Sequence, residues 1–311
     1  MNSTNADYNL TVIATVYNDA ANVEQLVEEI ELNLKDLAIT YEIILINDGS
    51  KDESENAIKE LCTINEHIKG LSLSRNCGQQ IAISAGMQHA SGKFILVMDG
   101  DLQNPPSAIP ELYRKISDGF DIVYTVSKVR NNKLDEVTSK FFWFILTKIL
   151  RIGMVPNQLM MRIMTSEFVK KYNSYTETTR VVAGITHDIG MNYDVIKVDN
   201  RKRTRGSSNY NFFKRFNLMV DIVIGLSVTP LNAMIYFGLI VFFLTSIFAL
   251  YELYVFIALG SVPGFTSIIL SIFFFNSVII VMLGIIGKYL ANIYTEVRNR
   301  PLFFVKKTFN L

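Results

Sequence analysis

Two carboxylates one residue apart, Asp99 and Asp101, follow directly on the apolar run Phe94-Ile95-Leu96-Val97-Met98; an amide, Gln103, and then Pro105-Pro106 come after them. A run of strand length that stops at a double proline delivers both acids to the carboxyl edge of a sheet, where open α/β sheets bind ligands. Hard oxygen donors grouped this way suit Mg²⁺ or Mn²⁺. These ions take one or two carboxylates from the protein and complete their shell with water and a substrate diphosphate. The same residues also make a solvated turn, because Asp, Gly and Asn are ordinary turn formers. The motif alone leaves both readings open.

The elements around it decide what those acids can meet. Leu10–Val16 and Tyr41–Asn47 read as buried strands with a helical pattern over 22–37 between them, and Leu71–Ser74 and 121–126 read as further strands. Apolar strands alternating with helices predict βαβ units and a parallel, Rossmann-like sheet. The second strand runs into Asp48-Gly49-Ser50-Lys51-Asp52, so Asp48 reaches the same edge, either as an acceptor for a nucleobase or ribose or as part of an ordinary turn and N-cap. The third gives way to Arg75-Asn76-Cys77-Gly78-Gln79-Gln80 and a helix of small residues over 81–90. There Arg75 and the open helix amides can hold phosphate or sugar hydroxyls, or Arg75 is simply a surface charge.

Composition narrows the class. The 311 residues suffice for one large or two ordinary domains, and a net charge of +1 gives no reason to expect a nucleic-acid partner. Mean hydropathy is +0.25, with the apolar excess concentrated late in the chain. Cys62 and Cys77 show no metal-site spacing with His67, His89 or His187, which suits free thiols in a reducing compartment. Met1–Asn9 is polar and the first apolar run is too short for a signal peptide's core, so none is expected.

The later half points to a membrane. Residues 138–151 combine a dense apolar patch around Trp143 with flanking Lys140, Lys148 and Arg151, the pattern of an interfacial helix, although a core helix fits too. Arg201–Arg205 followed by Gly206-Ser207-Ser208 reads as a topology signal, an anion clamp, or both. Residues 211–226 look like a second interfacial helix. Residues 230–251 and 265–286 then form two uncharged stretches of spanning length. Basic residues lie before the first (Lys214, Arg215) and after the second (Lys288, Arg298, Arg300, Lys306, Lys307), which predicts a hairpin with both ends cytoplasmic.

With these residues in view the chain resembles the inverting family-2 glycosyltransferases that charge polyprenyl phosphates, of the dolichyl-phosphate mannose synthase and bactoprenol glucosyltransferase type. The resemblance lies in Val16-Tyr17-Asn18-Asp19, Ile46–Asp52, Ser74–Gly78, Ala85-Gly86, Val97–Pro106, Arg203–Tyr210 and Ile286–Pro301. It implies a GT-A type α/β domain with interfacial helices and a two-helix transmembrane hairpin. Its domain plan is a cytoplasmic nucleotide-sugar domain over 1–210, a juxtamembrane helix over 211–229, two spans over 230–288 and a cytoplasmic tail over 289–311. It also implies roles. Thr15, Tyr17, Asp19, Asp48, Arg75, Gln79 and Asp99 would bind the nucleotide sugar, and Asp101 with Gln103 would hold Mg²⁺ or Mn²⁺. Arg203, Arg205 and Ser208 would face the lipid phosphate, and Asp99, Asp101 and Arg203 would carry the reaction. The implied partners are a UDP- or GDP-linked sugar, a polyprenyl (undecaprenyl) phosphate and the inner membrane. A homo-oligomer, commonly a tetramer formed through the hairpins and a C-terminal exchange, is implied as well.

Two departures stand out. Thr15 and Asp19 replace the proline and glutamate that usually flank Asn18, and Met160 replaces the acid of the family's Asp-Phe-Arg-Leu-Met stretch, with Asn157 the nearest polar neighbour and Asp188 a distant substitute. A phosphate acceptor makes this loss tolerable. Its second pKa of about 6 leaves it largely dianionic near neutral pH, whereas a sugar hydroxyl would need a base. Two rivals remain. One is a processive polysaccharide synthase, but Trp143 is the only tryptophan and no Gln-x-x-Arg-Trp motif surrounds it. The other is a noncatalytic membrane subunit that kept the fold.

Overall fold

The structure, a computed structural model, describes residues 8–127, 155–156, 158–177, 185, 189–190, 192–199, 229–259 and 264–311. The helix expected over 138–151, the basic run 201–205, Ser208, the 211–226 segment, Asn157 and Asp188 all lie outside the described residues. The chain divides into two units, one built from residues up to Asn209 plus Arg300–Leu311 and one from Tyr210–Asn299.

The first unit is built on strands β1 (Tyr8–Val16), β2 (Tyr41–Asn47), β3 (Ile68–Leu73) and β4 (Gly92–Asp99). Helices α1 (Ala20–Lys35), α2 (Ser54–Ile64) and α3 (Gln79–His89) connect them. Sidedness follows from residue spacing: α1 buries Val23, Leu26, Val27, Ile30 and Leu34, a stripe that recurs every three to four residues. The strands are apolar on both faces because both are covered. Leu10, Val12 and Leu45 pack with α1, α2 and α4 (Ile109–Ser117), whereas Ile13, Ile44 and Ile46 pack with α3 and α5 (Ser166–Ser174).

Sheet order departs from the all-parallel expectation. With β5 (Ile122–Ser127), β6 (Gln158–Thr165), β7 (Tyr193–Val198) and β8 (Val305–Phe309), the eight strands run β7-β5-β6-β4-β1-β2-β3-β8. β1 to β4 are parallel to their neighbours among themselves, but β6 is antiparallel to both β4 and β5, and β8 is antiparallel to β3. The chain leaves β1 toward β2 and β3 and then crosses back to β4 on its other side, so a topological switch point opens between the carboxyl ends of β1 and β4.

The second unit contains α6 (Thr229–Leu259) and α7 (Phe265–Val297). Each includes a 27-residue stretch long and apolar enough to cross a membrane, and bulky side chains such as Phe242, Phe243, Phe273 and Ile280 are exposed on them. The expected tail over 289–311 resolves into the last turns of α7 and then β8, an edge strand of the sheet.

Candidate active site

At the switch point the ends of β1, β2 and β4 and the start of α3 enclose a cleft of about 330 Å³. It is lined by Thr15, Val16, Tyr17, Asp19, Asp48, Asn76, Gly78, Gln79, Asp99, Gly100, Asp101 and Gln103. Eight of the residues expected from the sequence therefore meet in one place: Thr15, Tyr17, Asp19, Asp48, Gln79, Asp99, Asp101 and Gln103. Arg75 does not line the cleft and its residue is exposed. Arg203, Arg205 and Ser208 lie outside the described residues.

β1 is the hinge of the assembly. The Thr15 carbonyl accepts the Gly100 N–H (3.0 Å) and the Val16 carbonyl accepts the Asp48 N–H (3.0 Å), so one strand end fixes both acid-bearing turns. Glycine is required at two of these contacts. A Cβ on Gly100 would stand 2.4 Å from the Thr15 carbonyl oxygen, and one on Gly49, at φ 66°, 2.4 Å from the Arg75 carbonyl carbon. Beside them Asn18, at φ 50°, accepts the Lys51 N–H (2.8 Å), and its own N–H donates to Ser50 Oγ (3.0 Å), which locks the 16–20 and 48–54 loops together.

Each acid has a distinct setting. Asp48 is buried, and its two oxygens accept the Cys77 and Gly78 N–H groups at 2.8 and 3.0 Å. Burial pushes its carboxyl above the ordinary range, while the two amides and the nearby Arg75 charge oppose the rise. Asp99 accepts from the Gln79 side-chain amide on one oxygen and from Asn104 Nδ2 (2.8 Å) on the other. Asn104 is itself buried. Asp101 accepts the Gln103 N–H at 3.1 Å, closing the turn that carries both. Leu102 holds a left-handed conformation at φ 59° inside that turn, a local strain of the kind that collects at functional sites.

This donor set fits a divalent cation. The lining holds four carboxylates, Asp19, Asp48, Asp99 and Asp101, and no Lys, Arg or His among the described residues. A diphosphate entering such a cleft needs a positive charge to offset the acids. Among the described residues no cluster of three or more His, Cys, Asp or Glu could enclose a metal by itself. Mg²⁺ or Mn²⁺ shared between one or two side chains and a substrate phosphate needs no such cluster.

Two features of the site escaped the sequence reading. Asn104, seen only as part of a turn, clamps Asp99. Arg162, in the middle of β6, is buried, pairs in register with Val97 and Tyr124, and lowers its own basicity through desolvation, an effect opposed by Tyr124, Tyr172 and Asp99. Its Nη2 lies 3.6 Å from Met160 Sδ, and Gln80 Nε2 approaches the same sulfur at 3.6 Å. Two donors thus converge where an acid was expected from the family pattern, and a thioether receives them.

A nucleotide-sized, acid-lined cleft at the switch point of this mixed sheet defines a GT-A type glycosyltransferase fold. A solved structure of glucosyl-3-phosphoglycerate synthase from Mycobacterium tuberculosis, in complex with Mn²⁺, UDP and phosphoglyceric acid, shares that fold. It matches at a TM-score of 0.52 and 18% identity over 73% of this chain and 78% of that one. The chain belongs to glycosyltransferase family 2, whose model, Glycosyl transferase family 2, matches residues 11–172. An uncharacterized glycosyltransferase of Synechocystis is 34% identical, covering 97% of this chain and 96% of the relative. An undecaprenyl-phosphate 4-deoxy-4-formamido-L-arabinose transferase of Proteus mirabilis is 30% identical over 96% and 93%. A prophage-derived bactoprenol glucosyl transferase of Shigella flexneri is 32% identical over 86% and 87%.

Proposed function

We propose that this enzyme moves a hexose from a nucleotide sugar to a polyprenyl phosphate at the cytoplasmic face of a membrane, with inversion at the anomeric carbon. The observation that carries the reading is the pairing, in one chain, of the four-acid cleft with two helices of spanning length. Relatives named for undecaprenyl phosphate and bactoprenol, aligned over most of their length, support the acceptor class.

The residues divide the work. Asp48 holds the Cys77 and Gly78 amides, in a loop that would lie beside the base and ribose, with Tyr17 exposed as a platform at the cleft mouth. Asp101 and Gln103 would hold Mg²⁺ or Mn²⁺, which neutralises the diphosphate and stabilises the departing nucleoside diphosphate. Asp99, fixed by Gln79 and Asn104, orients the ribose and diphosphate. Arg203, Arg205 and Ser208 receive the lipid phosphate. In the transfer step a phosphate oxygen of the acceptor attacks C1 in line, the bond from C1 to the diphosphate oxygen breaks, and the nucleoside diphosphate leaves with the electron pair. The acceptor is already ionised, so no proton has to be removed, and Met160 in place of an acid costs nothing here.

Purified protein incubated with undecaprenyl phosphate, Mn²⁺ and a panel of labelled UDP- and GDP-sugars tests this. A lipid-linked monosaccharide is the expected product. Polymer would assign a processive synthase, and no product from any donor would assign a noncatalytic subunit.

A further inference from the structure

We infer that strand β8, with the Phe304 that leads into it, is a positioning element of the donor site, acting through the Phe304 carbonyl on the loop that grips Asp48. The inference rests on the donor-site reading above and adds a part of the chain that lines none of the cleft.

β8 pairs antiparallel with β3, Gly70 opposite Phe309, Leu71 opposite Thr308 and Ser72 opposite Lys307. Between Ser72 and Leu73 the register shifts, and Leu73 pairs with Val305. An irregularity of this kind re-aims a strand next to a functional loop. One residue further on, the Ser74 N–H donates to the Phe304 carbonyl at 2.9 Å. Ser74 is the first residue of the loop whose Cys77 and Gly78 amides hold both oxygens of Asp48 and whose Arg75 backbone presses on Gly49. Phe303 and Cys77 both pack against the core cluster that contains Leu71, Leu73 and Ile83. The loop is therefore held at its far end by Asp48 and at its near end by β8.

Three side chains anchor the strand. Lys306 and Lys307 pair with Glu55 on α2 at 3.2 and 2.6 Å. Asn310 Nδ2 donates to the Ile68 carbonyl at 3.1 Å and also to that of Cys62. Without β8 the strand β3 becomes a sheet edge and the Ser74 amide turns to water, so binding a nucleotide must also order the loop. Coupling of this kind is reciprocal: if β8 tightens nucleotide binding, the nucleotide must tighten β8.

The test uses the full chain in detergent or nanodiscs, with UDP and GDP each offered with Mn²⁺, and reads both nucleotide affinity and amide hydrogen exchange. In the wild type, nucleotide is expected to slow exchange at 74–78 and at 303–309 together. The K306E/K307E variant, which sets acids against Glu55, is expected to speed exchange at 303–309 and weaken nucleotide binding about five- to tenfold, the scale of one backbone hydrogen bond and its ordered loop. Adding E55K should restore both. The inference is overturned if nucleotide slows exchange at 74–78 while 303–309 stays unchanged, or if the double variant frees 303–309 and affinity stays within twofold. Should charge reversal leave 303–309 protected, the wild-type exchange result decides alone. A wild type that binds neither nucleotide removes the donor-site reading and this inference with it, which is distinct from a wild type that binds and ignores β8.

Discussion

Asp99 and Asp101 sit one residue apart but in different hydrogen-bond settings. Both Asp99 oxygens accept side-chain amides, from Gln79 and from the buried Asn104, whereas Asp101 bonds the backbone of its own turn. In the proposed function it is Asp101 that shares a cation with the diphosphate. Asp101→Asn keeps the shape and removes the charge. Turnover should fall at least about 100-fold, as for loss of one charge-stabilising group in an active site, while the circular dichroism spectrum and membrane extraction stay those of the wild type. Near-normal rates would remove the metal assignment. Met160 offers a second test at this scale. Met160→Asp places a carboxylate where Gln80 and Arg162 already direct donors. If the acceptor is its own nucleophile, this variant should stay within about threefold of wild type with a lipid phosphate, and both should lose rate below about pH 6 as the acceptor takes up its second proton. A large gain in Met160→Asp, with the acid limb abolished, would show that the reaction wants a base.

Between residue and fold, the capping of α1 and α2 is the most informative feature. Asp52 Oδ2 accepts the Ala20 N–H (3.1 Å) at the start of α1, and Oδ1 accepts both the N–H and the hydroxyl of Ser54 (3.1 and 2.6 Å) at the start of α2. One carboxylate thus caps two helices and ties the loops flanking the cleft. Burial alone would raise its pKa, but the bonds from Ser54 and Ala20 outweigh it and hold the carboxyl below the ordinary value. A depressed acid contributes stability above its unfolded pKa and loses it as pH falls through the folded one. Asp52→Ala should therefore cost about 0.5–2 kcal/mol near neutral pH, the range for a lost helix cap. Thermal melts should show that cost shrinking below about pH 4. A penalty that does not change with pH would mean the cap is not ionic. Elements of this kind were half legible in the sequence. Short runs rich in Val, Ile and Leu announced β1, β2 and β4, and Asp48-Gly49-Ser50-Lys51-Asp52 announced a turn and a cap, because both signals are local. That Asp52 reaches Ala20, that Gly49 meets Arg75 and Gly100 meets Thr15, and that β6 runs against β4 all depend on contacts between distant segments. Arg162 breaks the apolar pattern that would have marked β6. β8 is short, carries two lysines, and acts on the donor loop through a carbonyl that no side chain advertises.

At the scale of the whole chain, sheet membership constrains topology. β1 to β4 precede the two apolar helices in sequence and β8 follows them, yet all five strands belong to one sheet. This fits the proposed hairpin, in which both flanks of the helical segment lie on one side of the membrane, and basic residues stand on both flanks. The two cysteines can report which side that is. Cys62 is buried, with burial pushing its thiol up to about 11, and should not react. Cys77 is half-buried beside the cleft; burial raises its pKa while the Arg75 charge opposes the rise. A membrane-impermeant maleimide at about pH 8.5, where a thiolate fraction forms, should therefore label Cys77 in inside-out vesicles and not in right-side-out cells or spheroplasts, with Cys77→Ser removing the signal. Labelling from outside would place the donor cleft on the side without nucleotide sugars and overturn the cytoplasmic assignment. Equal labelling in both preparations would mean that the helices do not fix the chain to one face.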